Sequence, residues 1–158
     1  MQLWLLRHAA TEDRAPSGRD QDRRLTPDGR AQCHDLHAWI STSSMALPDR
    51  IYVSPAFRAQ ETARAVLGHL DMPSPSTEPR LWNATVGDLV SFVDEQSDAR
   101  RLMLIAHNPG LEGLVRWLGG QLPVQGMKPC TLCVLDTAFP LTPGGSRSLA
   151  VYRPSESV

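Results

Sequence analysis

Residues 3–8 read Leu3-Trp4-Leu5-Leu6-Arg7-His8, an apolar run that ends directly in two polar side chains. The chain repeats this arrangement twice: Ile51-Tyr52-Val53 leads into Ser54-Pro55 and then Arg58, and residues 102–106 lead into His107. Short runs of large apolar side chains that stop at a polar turn are typical of strands buried inside a parallel sheet. The three stretches therefore predict three strands of one such sheet.

Four side chains follow the ends of these predicted strands: Arg7, His8, Arg58 and His107. Because ligands of open α/β sheets bind beyond the carboxyl ends of the strands, we expect the four to lie at one edge. Arg58 is expected in the first turn of a helix, where its side chain leans back toward the helix N-terminus. Arginine does not ligate metal cations, but it donates paired hydrogen bonds to phosphate oxygens. The set therefore suits a phosphoryl group better than a metal ion.

Four signals predict where helices begin. Three dipeptides join a good N-cap residue to a proline that fits the first helical position, namely Thr26-Pro27, Ser54-Pro55 and Asn108-Pro109. Thr85 and Asp88 have the spacing of a capping box. Two of the dipeptides directly follow predicted strands, so the free N–H groups of those helix N-termini would point toward the same edge of the sheet.

The remaining pattern alternates strands and helices, which is typical of a mostly parallel sheet with helices on both faces. Apolar residues recur with helical spacing from Val86 and from Leu111, and further strands are expected near Leu132 and Leu149. We thus predict a single α/β domain over residues 1–158, a three-layer sandwich whose mostly parallel central sheet is flanked by helices.

Three segments show neither the apolar spacing of a helix nor that of a strand. Residues 12–24 form a charged loop that is predicted to overhang the site. Residues 71–80 contain too many prolines for a helix, and residues 140–148 are predicted as turn and loop. The residues after Arg153 are expected to fray.

Composition excludes several functions. A chain of 158 residues with 41% hydrophobic residues can bury a core of its own. Its 16 basic and 17 acidic residues give a net charge of −1, without the basic excess of a nucleic-acid-binding surface. No apolar run approaches the roughly 20 residues of a membrane span, and the first strand leaves no room for a signal peptide. We therefore expect a cytoplasmic protein, most simply a monomer, with no nucleic acid or membrane partner.

Neither the cysteines nor the remaining histidines predict a metal or cofactor site. Cys130 and Cys133 lie three apart in a predicted strand, where their side chains face opposite sides, and no second pair completes a zinc site. Both are expected to be packed thiols. His34, His37 and His69 are expected at the surface.

Four blocks of the sequence together resemble the histidine phosphatase superfamily. In the family's order they are Leu6-Arg7-His8-Ala9, Leu25-Thr26-Pro27-Asp28-Gly29-Arg30-Ala31-Gln32, Val53-Ser54-Pro55-Ala56-Phe57-Arg58-Ala59-Gln60-Glu61-Thr62-Ala63 and Ile105-Ala106-His107-Asn108. The short length, and Leu81-Trp82-Asn83-Ala84 before an amphipathic helix, resemble the small branch of SixA-like phosphohistidine phosphatases.

The resemblance implies a phosphoglycerate mutase-like fold and assigns a role to each of the four side chains. His8 would attack phosphorus and become phosphohistidine, and water would then release phosphate. Arg7, Arg58 and His107 would hold the phosphoryl oxygens. The resemblance implies no metal and no cofactor.

Two positions depart from the family pattern. Ala9 stands where the family usually has glycine after the nucleophilic histidine, and a methyl group is tolerable there unless the backbone needs a positive φ. Many relatives have a carboxylate that protonates the leaving group near the position of Asn83. Glu12, Asp20 and Asp22 in the charged loop are the alternatives, and the sequence does not choose among them. Glu12 and Asn83 are accordingly predicted as substrate-binding residues.

The sequence therefore predicts a phosphatase that acts on a phosphohistidine-bearing protein, either a histidine phosphotransfer domain of a phosphorelay or a phosphocarrier. Two alternatives stay open. One is a phosphatase for small phosphate monoesters, and the other is a non-catalytic module that binds phosphate or phosphoproteins.

Overall fold

The computed structural model describes residues 1–155 and places six strands in one sheet. The strands are β1 Gln2–Arg7, β2 Arg50–Val53, β3 Ser76–Thr77, β4 Arg101–Ala106, β5 Leu132–Thr137 and β6 Ser146–Tyr152. The helices are α1 Pro27–Thr42, α2 Phe57–Leu67, α3 Val86–Asp94 and α4 Gly110–Trp117, with short 3₁₀ helices at Asp20–Asp22 and Pro79–Leu81. Of the described helices, none combines the length and the apolar character that crossing a membrane requires.

The sheet has the order β3-β2-β4-β1-β5-β6. The first four strands run parallel, and β5 and β6 are antiparallel to their neighbours. The register pairs Arg7 with Ala106 and Val53 with Ile105, so the carboxyl ends of β1, β2 and β4 meet at one edge. The predicted α/β sandwich with a mostly parallel central sheet is confirmed.

Alternate residues of β1 pack into two different cores, which is why this strand is apolar throughout. Leu3 and Leu5 face a core that they share with α3 and α4, whereas Trp4 and Leu6 face a core shared with α1 and α2. All four side chains are fully buried. Helices therefore cover both faces of the sheet, and β1 is left uncovered at its carboxyl end.

Two of the predicted helix starts are confirmed. Helix α1 begins at Pro27, and the Thr26 hydroxyl accepts the N–H of Gly29 at 3.0 Å. A capping box between Thr85 and Asp88 opens α3. The Thr26 N–H also donates to the carbonyl of Ala10 at 3.1 Å, which joins the start of α1 to the segment that follows His8.

The other two predicted starts are wrong. Helix α2 begins at Phe57 and not at Pro55, because the Ser54 hydroxyl accepts the N–H of Ala56 at 3.3 Å in a turn that precedes the helix. Helix α4 begins at Gly110 with Pro109 in the cap position. Asn108 lies one place further out, although its Oδ1 still accepts the N–H of Glu112 in the first helical turn at 3.3 Å.

Smaller differences concern the segments without a clear period. The proline-rich segment 71–80 includes β3 and a 3₁₀ turn that its prolines did not predict, and β6 begins at Ser146, inside the segment predicted as turn. Pro154 is buried, contrary to the expected fraying after Arg153, and residues 156–158 lie outside the described residues.

The cysteines and the remaining histidines mostly lie where the sequence predicts. All three cysteines are buried free thiols, and Cys130 and Cys133 pack into the cores on opposite faces of the sheet. The prediction that both lie in one strand is wrong, because Cys130 precedes β5 and has a φ of 64°. His34 and His69 are exposed. His37 was wrongly predicted at the surface: it is half-buried, and its Nδ1 lies 2.8 Å from the carbonyl of Val66 on α2.

Candidate active site

The structure brings Arg7, His8, Arg58 and His107 together at the edge where the parallel strands end. Arg7 is the last residue of β1, and His8 and His107 directly follow β1 and β4. Arg58 is the second residue of α2, the helix that follows β2. The ring centroids of His8 and His107 are 5.2 Å apart.

Hydrogen bonding fixes which nitrogen of His8 can attack. Nδ1 lies 2.8 Å from the carbonyl oxygen of Ala9, which can only accept, so Nδ1 carries the proton and Nε2 has the lone pair. The N–H of Ala9 donates to the Thr62 hydroxyl at 3.0 Å, and that hydroxyl donates to the carbonyl of Arg58 at 2.7 Å. The described non-glycine residues with a positive φ are His69, Asn83 and Cys130, so Ala9 needs no glycine-like backbone.

His8 is neutral at neutral pH. Its side chain is 6% exposed, and burial is the largest cause that lowers its pKa to about 4. The hydrogen bond to Ala9 opposes this shift, and the positive charges of Arg58, Arg7 and Arg23 add to it. A neutral imidazole is the form that can act as a nucleophile.

His107 is held by a serine that the sequence analysis did not single out. Its Nε2 lies 2.7 Å from the hydroxyl of Ser54, which is fully buried. That hydroxyl already accepts the N–H of Ala56, so its own hydrogen is available for Nε2. With the hydroxyl as the donor to Nε2, we infer that the ring proton of His107 lies on Nδ1. Burial, followed by the charges of His8 and Arg58, lowers the pKa of His107 to about 3, so this ring is neutral as well.

Three of the predicted site residues each have a buried N–H group without a hydrogen-bond partner among the described residues: Arg7 Nε, Arg58 Nε and His107 Nδ1. The remaining nitrogens of the arginines anchor them, since Arg7 Nη1 donates to the carbonyl of Met127 at 2.8 Å and Arg58 Nη1 to that of Asp20 at 2.8 Å. Burying an N–H donor without an acceptor costs folding free energy, so such groups are rare in native proteins and often mark a functional site. A tetrahedral oxyanion beside His8 would offer acceptors to all three.

Trp82 forms one wall of the site, a role that the sequence analysis did not assign to it. Its indole meets the ring of His107 edge to face at 5.3 Å, and the Arg58 guanidinium lies 5.3 Å from its ring centroid. These contacts depend on tertiary packing, and the sequence signal was limited to the resemblance of the segment around Trp82 to one family branch.

Asn83 is exposed and borders a groove of about 490 Å³ that is also lined by His107 and the start of α4. Its φ is 54°, a left-handed conformation that asparagine adopts more readily than most residues. The left-handed backbone conformation thus accounts for asparagine at this position, where many relatives have the carboxylate that protonates the leaving group.

The three carboxylates of the charged loop lie in different places. The Oδ2 of Asp20 accepts from Arg58 Nη2 at 3.1 Å. Glu12 exchanges hydrogen bonds with the backbone of Arg24 and so helps to close the loop. Asp22 accepts from the Ser17 hydroxyl at 2.8 Å. Of the three, Asp20 is therefore the one that contacts a site residue, while the predicted role of Glu12 in substrate binding stays a prediction.

Fold and site together define an α/β protein with two neutral histidines, a buried Arg58 and a half-buried Arg7 at the carboxyl edge of its sheet. The family model described as the histidine phosphatase superfamily (branch 1) matches residues 3–109, and the chain belongs to this superfamily. Membership supports phosphatase activity. Among residues 1–155, no group of three or more histidine, cysteine, aspartate or glutamate side chains is arranged to hold a metal ion.

Solved structures with this fold include two SixA proteins. One assigned as the phosphohistidine phosphatase SixA of Agrobacterium tumefaciens superposes with a TM-score of 0.84 at 26% identity, over 97% of this chain and 98% of that chain. The protein histidine phosphatase SixA in complex with tungstate gives 0.83 at 22% identity, over 98% and 97%. Together with the family match, the first supports the SixA-like branch.

The fold alone does not choose the substrate. A protein assigned as an alpha-ribazole-5'-P phosphatase, from Escherichia coli K-12, superposes with a TM-score of 0.71 at 19% identity over 100% of both chains. The substrate must therefore be argued from the chemistry of the site.

Proposed function

We propose that this protein removes the phosphoryl group from phosphohistidine on another protein, through a phosphohistidine intermediate on His8. The observation that carries the proposal is the set of buried, unpartnered N–H groups on Arg7, Arg58 and His107 around the neutral ring of His8. A phosphoryl group offers oxygens to all three donors and brings phosphorus next to the lone pair of Nε2.

In the first half-reaction, the Nε2 lone pair of His8 attacks phosphorus. A new N–P bond forms on His8, and the N–P bond of the substrate breaks, with its electron pair staying on the substrate nitrogen. The Ala9 carbonyl, 2.8 Å from Nδ1, stabilises the positive charge that develops on the His8 ring. The guanidinium groups of Arg7 and Arg58 stabilise the charge that spreads over the phosphoryl oxygens in the transition state.

In the second half-reaction, water attacks the phosphorus on His8. The N–P bond breaks with its electron pair returning to Nε2, and inorganic phosphate leaves with the oxygen that water supplied. The neutral ring of His8 is restored, and because its pKa lies near 4 it is ready for the next turnover at neutral pH.

The nature of the leaving group favours phosphohistidine over an alkyl ester. An alkoxide is strongly basic, and a positioned acid that protonates it is typically worth about 10²- to 10⁴-fold in rate. Asp20 is the loop carboxylate nearest to this role, yet its oxygens face Arg58 and Arg23. A histidine ring has a free pKa of about 6.5, so a phosphohistidine protonated on its other nitrogen leaves as neutral imidazole without such an acid.

The proposal includes a cytoplasmic setting, with a phosphorelay or phosphocarrier protein as the partner and the protein acting as a monomer without metal or cofactor. Three buried free thiols fit a reducing compartment. Asn83, on the rim of the groove beside His107, is exposed and so accessible to the surface of a protein substrate.

The test compares phosphate release from a chemically phosphorylated histidine phosphotransfer domain, p-nitrophenyl phosphate and phosphoserine. We expect kcat/KM to fall in that order, and an acid-labile, alkali-stable phosphoryl label to be trapped on the wild type but not on His8→Ala. Faster hydrolysis of phosphoserine than of the phosphorylated domain would make the protein a small-ester phosphatase. Binding of phosphate without turnover of any of the three would make it a binding module.

A further inference from the structure

Arg23 lies beside the site but belongs to none of the three strand ends that build it. It lies next to the last residue of the charged loop 12–24, and the chain just after this loop is fixed by a bridge between Leu25 and Thr11. Its side chain is 24% exposed, although its Nε is buried. Nothing in the local sequence distinguishes Arg23 from the other arginines of the loop, so no role could be predicted for it.

One carboxylate lies between Arg23 and Arg58. Asp20 Oδ1 is 3.2 Å from Arg23 Nε, and Asp20 Oδ2 is 3.1 Å from Arg58 Nη2. The contact with Arg23 lacks the geometry of a hydrogen bond, and Arg23 Nε is buried without a hydrogen-bond partner among the described residues. Arg23 also lies close enough to His8 and Arg58 that its positive charge lowers the pKa of both.

We propose that Arg23 is a further phosphoryl-binding residue, and that the Asp20 carboxylate is the internal anion that the phosphoryl group displaces from Arg23 and Arg58. The inference rests on the proposed function for the place where the phosphoryl group binds. A dianionic phosphoryl group next to His8 satisfies Arg23 Nε, which the carboxylate leaves without a hydrogen bond, and competes for the Arg58 donor that the carboxylate now occupies.

A purely structural ion pair predicts something different. If Arg23 served only to hold Asp20 against Arg58, removing either partner would loosen the same loop and change phosphate binding in the same direction. If Arg23 binds the phosphoryl group and Asp20 competes with it, the two substitutions act in opposite directions. Arg23→Gln weakens phosphate binding, whereas Asp20→Asn strengthens it.

The experiment measures the Kd of inorganic phosphate by calorimetry for the full chain. We expect Arg23→Gln to raise the Kd about 10- to 100-fold, the range for one hydrogen bond between charged groups. Asp20→Asn should lower the Kd about 2- to 5-fold, as expected for removing a partly exposed competing charge. Arg19→Gln is the matched control, since it removes a 72% exposed arginine from the same loop and should leave the Kd within about two-fold.

Arg23→Lys separates a folding defect from a binding defect, because it keeps the charge and removes the planar N–H donors. We expect it to restore only part of the phosphate affinity, at a melting temperature equal to that of the wild type. A phosphate Kd unchanged in Arg23→Gln, or raised equally in Arg23→Gln and Asp20→Asn, would overturn the inference.

Inorganic phosphate is not consumed, so this test does not depend on turnover. If no phosphorylated compound is hydrolysed but Arg23→Gln still weakens phosphate binding, the proposed function fails and the assignment of Arg23 stands. If hydrolysis is observed and Arg23→Gln binds phosphate like the wild type, the assignment of Arg23 fails alone.

Discussion

The Ser54→Ala substitution tests how His107 is held in the site. The Ser54 hydroxyl lies 2.7 Å from His107 Nε2 in a fully buried position. With the Ala56 N–H bonded to the same oxygen, the hydroxyl hydrogen is directed to Nε2 and the ring proton of His107 to Nδ1. Nδ1 is the buried nitrogen without a partner, so this serine decides whether His107 offers a donor to the phosphoryl group.

Removing the hydroxyl leaves Nε2 buried without a partner and lets the ring proton move onto it. An unsatisfied buried polar group costs about 1–3 kcal/mol, which corresponds to roughly 5- to 150-fold when the contact supports the transition state. We expect kcat/KM to fall within this range. The melting temperature should fall by about 2–4 °C for each kcal/mol of lost stability in a domain of this size.

The assay combines kcat/KM for p-nitrophenyl phosphate with ¹⁵N NMR of the His107 ring. The wild type should show Nδ1 protonated, and Ser54→Ala should show a mixture of the two neutral forms. Ser41→Ala is the control, because it removes an exposed hydroxyl near the far end of α1 that donates to the carbonyl of His37. Unchanged kcat/KM together with an unchanged ring proton in Ser54→Ala would refute the assigned role of Ser54.

The catalytic roles, the pH response and the backbone at Asn83 are each open to test. His8→Ala should abolish turnover. Arg58→Ala should slow turnover about 10²- to 10³-fold, because one preorganised donor is lost. A His8→Ala protein that still turns over substrate would refute the assignment of His8 as the nucleophile. Because burial lowers the pKa of His8 to about 4 and of His107 to about 3, the unfolded chain binds more protons below about pH 6.5. The free energy of unfolding, measured by denaturant titration, should therefore fall as the pH drops from about 6.5 toward 4. In His8→Gln the free energy of unfolding should depend less on pH. An equal pH dependence in the wild type and in His8→Gln would contradict this prediction. Asn83→Glu should lower the free energy of unfolding by about 1–2 kcal/mol, because glutamate is strained at a φ of 54°, and should speed phosphoserine hydrolysis. Asn83→Gly should change neither quantity. An unchanged rate of phosphoserine hydrolysis in Asn83→Glu would show that a carboxylate at this position cannot reach the leaving group.

The sequence was sufficient to predict β1, β2 and β4, and the convergence of Arg7, His8, Arg58 and His107 at their ends. An apolar run without alternation can only be a strand covered on both faces or a buried helix, and the short length of each run favoured the strand. Parallel strands then have to end at one edge. These inferences use local pattern and topology, which the sequence carries directly.

The partners of the site residues could not be predicted, because each is chosen by packing between distant segments. Ser54 had two possible uses, capping α2 or bonding to His107, and only the register of β2 beside β4 decides between them. The contacts of Trp82 with His107 and Arg58 could not be predicted for the same reason. Asp20 contacts Arg58 from a loop that has no periodic sequence pattern, so this contact could not be predicted either.

A single physical cause makes this edge of the sheet suitable for phosphoryl transfer. Burial at the strand ends is the largest cause that lowers the pKa of both histidines and of Arg7 and Arg58. The consequence differs because the starting values differ. A histidine whose pKa starts near 6.5 becomes neutral at neutral pH and has a free lone pair. An arginine, whose ordinary pKa is far higher, stays charged after a shift in the same direction. A neutral imidazole and cations suited to holding a phosphoryl group thus arise together where the apolar runs of the sequence end.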